Sequence, residues 1–364
     1  MRWLLLIVLV GLALAAAGGA AWTVSRRVSA PYQGYAGPEQ FVDLPPGTNS
    51  RAIGRRLVDQ GIIRDSLTFR VALWRSGSAR QLKAGEYRFD RPMTPQEVIE
   101  KIARGDVFLR PLTFPEGLTI REMAGLFEAG GFGTAASFAA AARNVALVAD
   151  MDARATDLEG YLFPETYALT RHASAEPLVA MMVARFRAVF DSALAREAAS
   201  RGLSVRQTVT LASMVEKETA KPEERPVVAA VYLRRLAIRM GLQSDPTVIY
   251  ALERAGRYRG NLTKDNLTFD SPYNTYRHVG LPPGPIAAPG RASLEAVARP
   301  AEADYLYFVS RNDGSHVFSR SLAEHNHNVQ RYQVQFFRGR QGRDPRAKPP
   351  GRPPAPRHPP GFIS

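Results

Sequence analysis

The chain contains no cysteine in 364 residues. That excludes disulfides, thiolate nucleophiles and cysteine metal sites. The six histidines include no H-E-x-x-H pair, and His325 and His327 stand two apart, so on a helix they face different ways. No cofactor or metal is expected. Acidic residues are scarce relative to basic ones, 34 against 48, giving a formal net charge of +14. Part of that excess is local. Between Arg338 and Ser364 stand seven Lys/Arg and one Asp in a Pro-rich stretch. This stretch has too little apolar area to fold and reads as a disordered tail, residues 336–364. Zinc-finger spacing, RNA-recognition signatures and Gly-rich phosphate loops are missing, so the basicity does not imply nucleic-acid binding.

What is present begins with an apolar run. Trp3 to Val24 carries no charge. A helix of that length spans roughly 30 Å, a bilayer's hydrocarbon thickness. Arg2 precedes it and Arg26–Arg27 follow, so charge alone does not orient it. A cleaved signal peptide is the competing reading, because Ala15 to Ala21 is a run of small residues. The length favours a retained anchor, residues 1–29, followed by a polar linker, residues 30–40. Either reading sends the body across the membrane.

A short repeat follows. Pro45-Pro46-Gly47 and Pro115-Glu116-Gly117 each open a turn, an amphipathic helix and a glycine stop. The apolar positions are Ile53 and Leu57 in the first, Met123 and Phe127 in the second, and the stops are Gly61 and Gly131. Asn49 or Ser50 caps the first helix, and Ile62-Ile63 is expected to resume extended chain. Tyr87-Arg88-Phe89 alternates like a strand, and Thr94 caps a helix bearing Val98, Ile99 and Ile102. The pattern over residues 41–108 resembles a LysM-like α/β module; the plain alternative is a spacer domain with no ligand. Residues 109–205 read as a mostly helical connecting region. Within it, Glu159 to Tyr167 is either a sugar-contacting loop or, as we favour, a connector whose Tyr and Phe are core.

The chemistry concentrates in residues 206–335. Leu211 to Ala220 reads as a helix ending before Pro222. At 100° per residue Leu211, Met214, Val215 and Glu218 share one stripe, and Glu216 points away as a solvated partner of Lys217 or Arg225. A carboxyl held against an apolar face stays protonated more readily, which suits it to give a proton to a glycosidic oxygen. The plain alternative is a helix-end cap or an ion pair with an arginine. Downstream, Gln243-Ser244-Asp245-Pro246-Thr247 enters a helix with Asp245 at the cap and Pro246 in its first turn. The loop Tyr273-Asn274-Thr275-Tyr276, followed by Gly280-Leu281-Pro282-Pro283-Gly284-Pro285-Ile286, is rigid and aromatic. Such groups stack on pyranose rings and bond acetamido arms.

Together V-E-K-E-T at 215–219, L-Q-S-D-P-T-V-I-Y at 242–250, Y-N-T-Y at 273–276 and G-L-P-P-G-P-I at 280–286 resemble the endolytic murein transglycosylase family (MltG, YceG-like). The resemblance covers roughly residues 41–332, with Ser244 where the family often has Thr. It implies an α+β protein: one transmembrane helix in the inner membrane, a LysM-like module, and a periplasmic catalytic domain with lysozyme-like active-site logic. The basic tail has no expected counterpart. By this resemblance Glu218 is the catalytic acid/base. It would cut MurNAc–GlcNAc bonds of nascent peptidoglycan glycan strands with 1,6-anhydro-MurNAc formation. Gln243, Ser244, Asp245, Thr247, Tyr273, Asn274, Tyr276, Gly280 and Leu281 are the expected substrate contacts. Peptidoglycan synthases and division or elongation proteins are the expected neighbours. The competing readings are a non-catalytic peptidoglycan-binding scaffold and a water-using muramidase with Asp245 as helper.

Overall fold

The structure, a computed structural model, describes residues 2–335; the basic Pro-rich tail read at 336–364 lies outside the described residues. The first helix, α1 (Arg2–Ser29), contains an apolar stretch, Ile7–Ser29, long and apolar enough to cross a membrane. Ile7, Leu9, Leu12, Leu14 and Trp22 are exposed along it, as a bilayer-facing helix requires and a core helix does not.

The described chain forms two compact units of mixed α+β character. The first comprises residues 1–111 with Ala168–His172. In it β1 (Gln40–Leu44) pairs antiparallel with β2 (Gly85–Phe89), Gln40 opposite Phe89 and Leu44 opposite Gly85. Between them run α2 (Ser50–Asp59) and α3 (Ser66–Ser76), and α4 (Pro95–Arg104) follows. Asn49 caps α2 by accepting from the Ala52 N–H at 2.9 Å. Thr94 closes a capping box with Glu97 on α4. Leu44, Ile53, Leu57, Phe69, Tyr87, Phe89, Val98, Ile99 and Ile102 make the core.

Two sequence expectations change here. Ile62 and Ile63 are buried in a turn, not in a strand. The segment after them forms α3, which the residue pattern did not announce. Phe69, Ala72 and Leu73 are buried on α3, but Leu67 and Trp74 are exposed, so apolar residues circle the helix and blur its period.

The second unit comprises Leu112–Tyr167 and the described residues from Ala173 on. Strand β3 (Arg110–Thr113) pairs with a later strand, β4 (Thr166–Leu169). Between them lie α5 (Ile120–Ala129) and α6 (Ala135–Ala141). Then come α7 (Ala175–Val189), α8 (Ser192–Ser200), α9 (Val205–Glu218), α10 (Arg225–Ala237), α11 (Asp245–Arg254) and α12 (Arg291–Ala298). A hairpin of β5 (Tyr307–Ser310) and β6 (His316–Ser319), then α13 (Leu322–Val329), completes the described unit.

The glycine stops of the repeat have one physical reason. Gly61 and Gly131 take φ of +71° and +73°, a conformation that penalises any Cβ. Helix α9 is the unit's central element. Every residue from Thr208 to Val215 is buried, and α8, α10, α11 and α12 all pack on it. Its start is fixed by a Ser204–Gln207 capping box, and its end by Thr219, whose backbone is extended.

Candidate active site

All-round packing of α9 revises the two-faced reading of its last turn. Glu216 is not solvated: its side chain is 5% exposed and sits 2.8 Å from the equally buried Arg225. Its other oxygen accepts from Ser293 Oγ at 2.7 Å and the Gly290 N–H at 3.0 Å. Glu216 therefore pins α12 and the Pro/Gly loop to α9. Arg225 was one of its two expected partners; the other, Lys217, donates instead to the Gly117 carbonyl at 3.0 Å.

Glu218, the last residue of α9, is half-buried with its carboxyl facing a cleft. Tyr232, fully buried on α10, donates its hydroxyl to Glu218 Oε2 at 2.9 Å, and Ser244 Oγ approaches the same oxygen at 3.4 Å. Burial pushes the Glu218 carboxyl above the ordinary glutamate range; the Tyr232 bond and His316 pull it down, and Asp245 adds to the rise. Behind Tyr232 stands the hairpin. Phe308 meets the Tyr232 ring edge-on, and His316 meets Phe308 the same way. His316 is itself clamped by Glu224, whose Oε2 lies 2.7 Å from the ring nitrogen and whose Oε1 accepts the His316 N–H at 2.8 Å. Burial alone would raise Glu224, but the bonds from His316 and Thr219 hold it below the usual range.

Two cavities meet at Glu218. One, about 380 Å3, is lined by Gln243, Asp245, Tyr276, Arg235, Tyr307 and Asn326 among others. The other, about 610 Å3, is lined by Thr119, Glu122, Lys217, Asp245, Ile249, Tyr250 and Tyr258 among others. Glu218 and Asp245 belong to both. The result is a cleft with the carboxyl at its waist and room on either side.

The sequence-predicted contacts separate into three groups. Gln243, Asp245 and Tyr276 line the cleft with Glu218. Tyr276 donates to Asp245 Oδ1 at 2.6 Å. Gln243 adopts φ +51°, a strained backbone for a side-chain-bearing residue, held by its N–H to the Thr275 carbonyl at 3.2 Å. Ser244, Thr247 and Asn274 are buried behind the wall. Ser244, not Asp245, occupies the cap position of α11, and its side chain makes no cap bond there. Thr247 donates to the Ser244 carbonyl at 2.6 Å, and the Asn274 amide donates to the Leu267 and Phe269 carbonyls at 2.9 and 2.7 Å. Thr247 and Asn274 thus bond within the wall and its loop, while the Ser244 hydroxyl faces Glu218. Tyr273 lies elsewhere, its ring 5.0 Å from Tyr250. Gly280 and Leu281 line neither cavity at Glu218.

Several residues at the site carried no sequence signal: Tyr232 behind Glu218 and Arg235, both on α10, with Tyr258, Thr119 at the cap of α5 and Glu122 on α5. The buried Arg235 bonds the Leu306 and Leu242 carbonyls, both at 2.7 Å, joining the hairpin to the α11 entry. The pattern of α10 did not single out Tyr232 and Arg235, because the helix also carries Arg225 and Arg234.

The fold and the site define a mixed α+β protein with an N-terminal apolar helix and a partly buried carboxyl in a two-sided cleft. The chain belongs to the YceG-like family, whose model matches residues 42–331. An endolytic murein transglycosylase of Bacillus subtilis (strain 168) is 30% identical over 307 residues, covering 80% of this chain and 84% of that protein. An endolytic murein transglycosylase of Streptococcus pneumoniae serotype 2 (strain D39) is also 30% identical, over 322 residues, 79% of this chain and 57% of the relative. The crystal structure of a yceG-like protein from Listeria monocytogenes aligns with a TM-score of 0.55 at 32% identity, covering 80% of this chain and 98% of that one.

Proposed function

We infer that the chain is a lytic transglycosylase acting inside murein glycan strands, with Glu218 as its acid and base. One observation carries this reading: a carboxyl whose protonated form burial favours, aimed by Tyr232, at the waist of a cleft that extends both ways. A cleft open on both sides accepts a polymer in its middle, as endolytic cutting requires. The relatives named above support the same activity.

Glu218 gives its proton to the oxygen joining MurNAc to GlcNAc, and the C1–O bond breaks. The carboxylate so formed takes the proton of the muramyl C6 hydroxyl. That oxygen closes on C1 as a 1,6-anhydro ring, and Glu218 returns protonated. No water is consumed. Residues 206–335 make the catalytic domain, and Thr119 and Glu122 at the start of α5 add to the cleft wall. The strand–helix–helix–strand order of the first unit supports a LysM-like glycan-holding role. The α1 helix serves as a single-pass inner-membrane anchor with the body in the periplasm, beside wall-synthesis and division or elongation proteins.

Asp245 lines both cavities with Glu218, and this favours one second reading. A carboxylate across the cleft could activate water, making the enzyme a muramidase. Digestion of purified sacculi separates the two. Anhydro ends, lighter by one water than reducing ends, support the transglycosylase. Glu218→Gln keeps the shape and loses the proton, and cleavage should fall on the order of 10^2–10^4-fold. Wild-type rates of anhydro release from that variant would sink the assignment.

A further inference from the structure

Beside the catalytic cleft lies a third cavity, about 470 Å3, that the mechanism does not use. Thr119, Tyr250 and Glu253 line it and also line the larger cavity at Glu218, so the two share a wall. Its composition differs from a sugar groove. Five alanines, at 124, 135, 136, 139 and 142, line it, and Tyr250 is its one aromatic lining residue among the described residues. A pyranose has little to stack on there, whereas methyl-sized groups fit against bare Cβ atoms.

The polar groups are arranged around that methyl wall. Glu159 is buried, its Oε1 accepting from the Ile120 N–H at 3.0 Å and its Oε2 from the Tyr250 hydroxyl at 3.1 Å. Arg254 bonds the Tyr250 oxygen at 3.1 Å and faces Asp157 at 3.8 Å. Arg121 faces Glu253 at 3.5 Å. Arg143, exposed at the rim, has no ion pair among the described residues. The cavity thus pairs a small-residue floor with a free guanidinium, adjoining the place where a glycan strand would lie.

We propose that this cavity holds the peptide arm of the murein strand, a chain of small residues bearing free carboxylates, and that Arg143 takes one of those carboxylates. The inference rests on the glycan-cleaving reading above. A guanidinium receives a carboxylate through paired charge-assisted bonds, and alanine methyls of the arm match the alanine wall. The peptide thereby fixes which saccharide units sit across Glu218.

The test compares peptide-bearing strands with the same strands stripped of peptide by an amidase, using the full chain in detergent. Wild type should cleave the peptide-bearing strands about tenfold faster in kcat/KM. Arg143→Glu reverses the rim charge and Ala139→Leu fills the partly exposed wall. In both the ratio should fall toward one. An equal rate on the two strands for wild type, or an unchanged ratio in both variants, overturns the proposal. Binding of a free wall pentapeptide, measured by calorimetry, separates this idea from the cleavage reading. Binding by wild type that Arg143→Glu abolishes supports the peptide site even if no strand is cut. Absence of such binding, with no strand cut, ends it.

Discussion

Tyr232→Phe removes one hydroxyl from the candidate site and leaves the packing nearly intact. The ring stays buried with its edge contact to Phe308, whose centroid lies 5.9 Å away. What is lost is the 2.9 Å bond to Glu218 Oε2. The other donor to that oxygen among the described residues, Ser244 Oγ at 3.4 Å, is too distant to replace it. A hydrogen bond to a charged acceptor contributes about 1.5–3 kcal/mol. Its loss falls on the ionised form of Glu218, so ionisation becomes harder by about ten- to a hundredfold. Burial already raises this carboxyl, and the Tyr232 bond opposes burial. Without the bond the carboxyl rises further. The alkaline limb of the pH–rate profile reports loss of the protonated acid, so it should move to higher pH. The plateau rate should fall on the order of tenfold or more, because the carboxyl is no longer aimed. The assay is anhydro-end release from sacculi across the pH range. A limb that stays in place or moves to lower pH would refute the reasoning, and a drop in rate alone would not support it.

Three further outcomes follow from the same geometry. Glu159 is pushed up to about 8 by burial, well above the ordinary 4.5. Its raised value means stability is full below about pH 4.5 and drains away as pH climbs to about 8, by roughly 5 kcal/mol in all; unfolding temperature should drop over that window, and Glu159→Gln should flatten the drop. Glu216→Ala leaves Arg225 buried with only Glu116 at 3.4 Å, and denaturant melts should show a loss of about 3–5 kcal/mol. A loss within 0.5 kcal/mol or so, the range of ordinary surface changes, would show that the pair is not buried as described. Asn274→Ala strands the Leu267 and Phe269 carbonyls and should cost about 1–3 kcal/mol in the same melts; wild-type stability would remove Asn274 from the loop's framework.

The sequence by itself determined the elements whose causes are local. An uncharged run long enough for a bilayer, capping residues at Asn49 and Thr94, and glycines where φ turns positive are each readable from a few neighbours. So was the stripe that placed Glu218 against apolar neighbours on α9, since helical period alone fixes which residues share a face. What lies across from a face is not local. Glu216 was read as solvated because its own helix gave it no apolar company, yet α12 and Arg225 arrive from elsewhere to bury it. Asn274 carries an amide fit for a sugar, but the loop folds back and its own carbonyls consume that amide. Tyr232, Arg235 and the α5 wall reach the cleft only because α10 and α5 pack around α9, from more than ten and nearly a hundred residues away. Period and capping act over one turn of chain; the burial of a charge and the walls of a cleft are properties of surfaces that meet, and only the tertiary structure decides which surfaces do.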